Sequence, residues 1–117
     1  HKDHIAAHTI TKHAVFFASL PTFEHPLPPA PIQRTMFAEN WEDAEGFVPY
    51  YYFDVTEAFP LWKEAIKKLW LAEHSTSFKY LRYYEALSVA RGALIGKDHG
   101  SAYGIMDYSK RQILGSL

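Results

Sequence analysis

Apolar residues Ala6, Ile10, Ala14 and Phe17 recur at i, i+4, i+8 and i+11, the spacing of one stripe along a helix. The pattern predicts a helix from about Ile5 to Leu20, with Asp3 as its N-cap and Pro21 as its stop. At about 100° per residue, His4 and His8 lie within roughly 40° of each other, on the side away from the stripe. The helix is therefore expected to bury one face and to offer imidazoles on the other.

The segment Pro21 to Pro31 holds five of the seven prolines, so it must be extended or turning, because each proline fixes φ and lacks a donor. It reads as a stiff surface loop, with a ligand for a proline-reading module as the alternative. Two short runs of strand character follow, Ile32 to Ala38 and Tyr50 to Val55, separated by the polar stretch Glu39 to Gly46. A second helix is expected from about Thr56. Asp54 and Glu57 have capping-box spacing, and Pro60 is tolerable in the first turns. Phe59, Trp62, Ile66, Leu69 and Trp70 form its apolar stripe, opposite Lys63, Lys67 and Lys68. A third helix should run from after Ser77 to about Ile95, with Gly96 as its C-terminal stop. Its inner face is marked by Tyr80, Tyr84, Leu87, Ala90 or Arg91, and Leu94. The glycine-punctuated tail allows one more strand, around Tyr103 to Met106. This order suits an α/β layer architecture with helices packed on a sheet. Two or three strands make a poor sheet alone, which suggests that further strands belong to a larger protein.

Composition narrows the function classes. At 117 residues the chain is one domain's worth or less, and its 48% hydrophobic and 16% aromatic content argues for a packed fold. A formal net charge of −1 leaves no electrostatic footprint for nucleic acid or an anionic membrane. The absence of cysteine excludes disulfides and thiolate metal sites, so His, Asp and Glu are the strong ligands that remain. No run approaches the length of a membrane span and no signal-peptide pattern appears, so a cytoplasmic location is expected.

The densest chemistry stands at His1-Lys2-Asp3-His4, with His8 one turn further on. Neutral imidazole is the commonest zinc donor, and a neighbouring carboxylate commonly orients the ring and fixes its tautomer. A catalytic zinc needs about three protein ligands from different parts of a fold. The motif therefore suggests the carboxyl-terminal piece of something larger. Two other readings stay open: a weak metal site made by the His4 and His8 pair alone, and a solvated helix start.

His1-Lys-Asp-His4 resembles the second motif of the LmbE-like (PIG-L) family of zinc-dependent N-deacetylases, His-Pro-Asp-His before a helix. Phe53-Asp-Val-Thr-Glu-Ala-Phe59 with Lys63-Glu-Ala-Ile-Lys67 is similar to the family's Val-Asp-Ile/Val-Thr strand and the helix after it. Ala90 to Gly96 is similar to the family's last helix, and His99-Gly-Ser-Ala-Tyr103 falls where members often carry Tyr-Ala-Glu-x-Phe. The likeness runs along nearly the whole chain in the family's order.

What the resemblance implies is a Rossmann-like three-layer α/β sandwich of which residues 1–117 are roughly the C-terminal half. The implied activity is removal of an N-acetyl group from an amino-sugar derivative, with zinc as cofactor and an activated water attacking the amide. A first motif, His-Pro-Asp-Asp, would lie in the other half and supply two ligands and the general base. His4 would be the third zinc ligand, and His1 would stabilise the oxyanion or protonate the leaving amine. Asp3 would orient a histidine, and His99 is a candidate for substrate binding. The partner implied is a small-molecule N-acetylated amino sugar or conjugate, and a homo-oligomer is compatible with it. Nucleic acid and a membrane span are not expected. Lys2 replaces the motif's proline, and Ser101 replaces the common glutamate. His8 reads as structural or as a residue behind the metal ligands, His13, His25 and His74 as surface residues, and Asp54 as a cap more than a catalyst. Trp41, Glu42, Asp43 and Glu45 could border a sugar pocket or form a plain acidic loop. The alternative from a different class is a non-catalytic α/β interaction module with incidental histidines.

Overall fold

The computed structural model describes residues 1–22, 27–30, 34–42 and 45–110. His25, Asp43 and the expected strand start at Ile32 fall outside these described residues. The chain divides into two compact units, His1–Val48 with Gly104–Leu117, and Pro49–Tyr103.

The first unit begins with helix α1, Lys2–Ala18. It starts earlier than the apolar spacing suggests because His1, not Asp3, is the N-cap: the His1 ring nitrogen Nδ1 accepts from the Asp3 backbone N–H at 3.3 Å. Asp3 instead sits in the first turn, where its charge complements the helix dipole. The helix ends two residues before the expected Leu20, where the Ser19 hydroxyl donates to the Phe16 carbonyl at 2.7 Å. The Ala30 N–H then donates to the Ala18 carbonyl at 2.7 Å, so the chain returns to the helix end. The expected buried face of α1 is not found: none of its residues is buried, and Ile10 and Phe17 of the stripe are exposed. The reason lies in the distribution of its apolar residues. Ile5, Val15 and Phe16 lie off the stripe, so hydrophobicity is spread around the axis instead of concentrated on one side. Strand β1 is Met36–Ala38, the end of the expected run. Among this unit's described residues Ile105 is the buried hydrophobic one, and a 3-10 turn follows at Asp107–Lys110.

The second unit holds strand β2 (Tyr51–Asp54), helices α2 (Phe59–Ile66), α3 (Trp70–His74) and α4 (Tyr80–Ala93), and most of strand β3 (Gly100–Ile105). β2 and β3 are antiparallel, with Tyr51 opposite Tyr103, Tyr52 opposite Ala102, Phe53 opposite Ser101 and Asp54 opposite Gly100. The sheet order is β1-β3-β2, giving a mixed α/β structure with a small three-stranded sheet among the described residues. The hydrophobic centre of this unit is Phe59 and Ala102, which keep 6% and 3% of their surface.

The long second helix anticipated from periodicity is two helices. Lys68 and Leu69 donate to the carbonyls three residues back, a tightened last turn, and Leu69 then adopts extended backbone before α3. The break rotates the stripe away from the core, so Phe59 is buried while Leu69 and Trp70 are 61% and 70% exposed. The capping box does not form either. α2 has no side-chain cap, and Asp54 Oδ1 instead accepts from the Thr56 N–H at 3.0 Å, closing the turn ahead of the helix.

Helix α4 buries Ser88 and Gly92, and of the alternatives at its inner face Arg91 is half-buried while Ala90 is exposed. Leu94 is also exposed, because it is the C-cap residue and the chain turns there. Gly96 has φ +69, the left-handed conformation that a helix stop favours. The end of α4 lies hard against the start of β3. A Cβ at Gly92 would stand 2.6 Å from the Lys97 carbonyl oxygen, and a Cβ at Gly100 would stand 2.6 Å from the Gly92 nitrogen. α2 is tied to α4 by the Lys63–Glu85 ion pair at 2.7 Å and an edge contact of Trp62 with Tyr84. No described helix is long and apolar enough to cross a membrane.

Candidate functional site

Residues three apart share a helix face, so the first turn of α1 brings His1 and His4 together. Their ring centroids are 5.3 Å apart and the planes are inclined at 48°. Asp3 Oδ2 is 3.6 Å from His1 Nδ1, near enough to pair with that ring when it carries a proton. All three side chains are exposed, so a small molecule or ion can reach them. Lys2, next in sequence, is exposed as well.

Two side chains from the loop after β1 converge on His4. The Asn40 amide nitrogen is 3.1 Å from His4 Nδ1, and Glu42 Oε2 is 4.0 Å from the same atom. Sequence reasoning missed Asn40 and placed Glu42 at the border of a sugar pocket or in a plain acidic loop, without pairing it with His4. The contact joins positions 36 apart, and no local pattern encodes such a pairing. The signal available was the polar stretch directly after a strand. His8 does not join the pair: its ring leans on Phe37 of β1, with centroids 4.7 Å apart, which matches the structural reading of that residue. His13 is exposed, and His74 is exposed with its ring stacked on Trp70 at 5.0 Å. Glu45 is exposed and Trp41 half-buried.

The donor set can be compared with what zinc requires. Neutral imidazoles with a carboxylate nearby are the right chemistry for zinc. No group of three or more candidate ligands occurs among the described residues. The described residues therefore do not make up a zinc site by themselves.

His99 belongs to the second unit and has its own surroundings. Its ring stacks on Phe59 at 3.9 Å and 16°, and its Nδ1 is 2.9 Å from the Ser88 hydroxyl. The Ser88 hydroxyl donates to the Glu85 carbonyl at 2.8 Å, so the His99 Nδ1–H donates to Ser88 and Nε2 is the acceptor nitrogen. The pair superficially resembles a nucleophile and its base. The serine proton points to a helix carbonyl, however, and Ser88 keeps only 7% of its surface, which denies it that role. The His99 backbone is fastened too, its N–H donating to Thr56 Oγ1 at 3.2 Å and its carbonyl accepting from Val55 at 3.1 Å.

Asp54 behaves as a structural anchor. Hydrogen bonds from the Thr56 side chain and backbone, and then from Lys97, hold its carboxyl down from the usual 3.8 to about 2. The Lys97 ammonium lies 3.0 Å from Asp54 Oδ2. Comparison with family models, with curated proteins and with solved structures found no match.

Proposed function

We propose that the chain is the C-terminal part of a zinc-dependent N-deacetylase of the LmbE-like (PIG-L) family, acting on an N-acetylated amino-sugar derivative. On this reading the mixed α/β elements are part of a Rossmann-like three-layer sandwich. The observation that carries the proposal is the His1–His4 pair, two rings 5.3 Å apart on one exposed helix turn with a carboxylate beside each.

Zinc, when bound, supplies Lewis acidity toward the amide carbonyl and lowers the pKa of water. His4 is the residue that would hold it. His1 would stand beside it, and with Nδ1 accepting from the Asp3 N–H its Nε2–H can donate to the carbonyl oxygen as negative charge develops there. The same ring can give its proton to the amine nitrogen, which must be protonated before the C–N bond breaks.

The test uses the full translated protein. Elemental analysis is expected to find about one zinc per chain, and incubation with N-acetylglucosamine derivatives is expected to release acetate. Metal-free protein that releases none removes the proposal. The exposed Leu61, Leu69 and Trp70 favour a second reading, a non-catalytic module whose α2–α3 surface meets a partner. Loss of partner capture in Trp70→Ala, with no zinc in the wild type, is the outcome that reading expects.

A further inference from the structure

We propose that α3 and the start of α4 form a self-docking surface, on which two copies of the chain pair about a two-fold axis with Trp70 of each entering a groove of the other. The proposal uses neither zinc nor the His1–His4 pair. It takes up the Trp70 surface and names what covers it, so its failure leaves the deacetylase reading untouched. Three consecutive large apolar residues, Leu69, Trp70 and Leu71, are 61%, 70% and 54% exposed. Contiguous exposed apolar surface of this kind marks an interaction site. Beside it lies a groove of about 570 Å³, with Ala72 and Leu81 as apolar wall and Glu73, His74, Lys79 and Arg82 around them. His74 joins the two features, because its ring stacks on Trp70 at 5.0 Å and 2° and also lines the groove.

The Trp70 ring is held ready for a partner. Its own backbone carbonyl can only accept, so His74 Nδ1–H donates to it at 2.9 Å and fixes the imidazole that lies on the indole. A side chain already ordered costs less to bury, and tryptophan and arginine are the types that most often anchor an interface. The occupant is a second copy because ring, groove and both signs of charge share one patch. About a two-fold axis such a patch meets itself, and each contact is made twice. Glu73 of one copy then faces Lys79 and Arg82 of the other. Glu73 and Arg82 are exposed, and neither has an ion-pair partner among the described residues. An acidic partner would instead meet Glu73, and a basic one Lys79 and Arg82, like charge on like. The apolar centre amounts to on the order of 300 Å² per copy, against about 800 Å² per partner in a standard interface, so pairing of modest, micromolar strength is expected.

Sedimentation equilibrium of the full protein in metal-free buffer, from about 1 to 300 μM, reads the pairing directly. The wild type is expected to fit a monomer–dimer equilibrium. Trp70→Ala removes the central anchor and should weaken pairing by about 10- to 30-fold, with an unchanged circular dichroism spectrum. Arg82→Glu should weaken it as well, by opposing two carboxylates across the axis. Adding Glu73→Arg to that variant should bring pairing back to within about threefold of wild type, a rescue that a folding defect would not show. A wild type that is monomeric at every concentration overturns the proposal, and capture of a different protein by that monomer does not restore it. Dimers that Trp70→Ala leaves intact overturn it too, because the copies then meet on another surface. So does an Arg82→Glu defect that Glu73→Arg fails to mend, since Glu73 and Arg82 then do not face each other.

Discussion

Asp54 collects hydrogen bonds from the Thr56 hydroxyl and backbone and an ion pair from Lys97, and its carboxyl accordingly stays ionised down to about pH 2. In the unfolded chain those partners are gone and the group returns to about 3.8. The folded form binds its proton less readily, so the stabilisation is complete above pH 3.8 and is lost as pH falls toward 2. Thermal denaturation across that interval should show the melting temperature of the wild type falling more steeply than that of Asp54→Asn. Parallel slopes would mean that Thr56 and Lys97 do not hold the carboxylate. Also at this scale, the two imidazoles near His4 can be told apart by their neighbours. His1 shares the exposed turn with it, whereas His8 leans on Phe37. Isothermal titration with zinc is expected to show binding abolished in His4→Ala and largely kept in His8→Ala. Equal loss from both variants would point to a metal held by the His4 and His8 pair instead.

At the scale of elements, the joint between α4 and β3 depends on the absence of two side chains. A methyl group at Gly92 meets backbone atoms of Lys97, His99 and Asp98 at 2.9 Å or less, and backbone cannot swing aside as a side chain can. Gly92→Ala should therefore cost about 1–3 kcal/mol or more, measured as a lowered urea midpoint with unchanged slope. A midpoint equal to the wild type would show that the joint can open without loss. The elements themselves were readable in the sequence to different depths. The stop at Gly96 was visible because a left-handed C-terminal residue has a strong preference for glycine, and Tyr51–Asp54 was visible because aromatic residues crowd it. The break between α2 and α3 was not, because apolar spacing continues smoothly through Leu69 and Trp70 while the backbone does not. The grouping of His1, Asp3 and His4 was suggested by their nearness in sequence, but the helix turn that joins His1 to His4 was not, because the apolar spacing begins only at Ile5. Asn40 on His4 and Ser88 under His99 are tertiary contacts, and a single sequence carries no local trace of them.

At the scale of the whole molecule, the chain carries almost no net charge and no cysteine, so neither charge steering nor thiolate chemistry is available to it. What it has is imidazole and carboxylate chemistry gathered at one end of α1, on side chains open to solvent. On the deacetylase proposal, those groups would form part of a zinc site whose remaining ligands lie elsewhere in the protein. The most direct measurement is paired zinc content and acetate production on the full protein, wild type beside His4→Ala. The expected result is about one zinc per chain with acetate released by the wild type, and neither in the variant. Zinc and acetate release undiminished in His4→Ala, or a wild type with neither, would contradict the account.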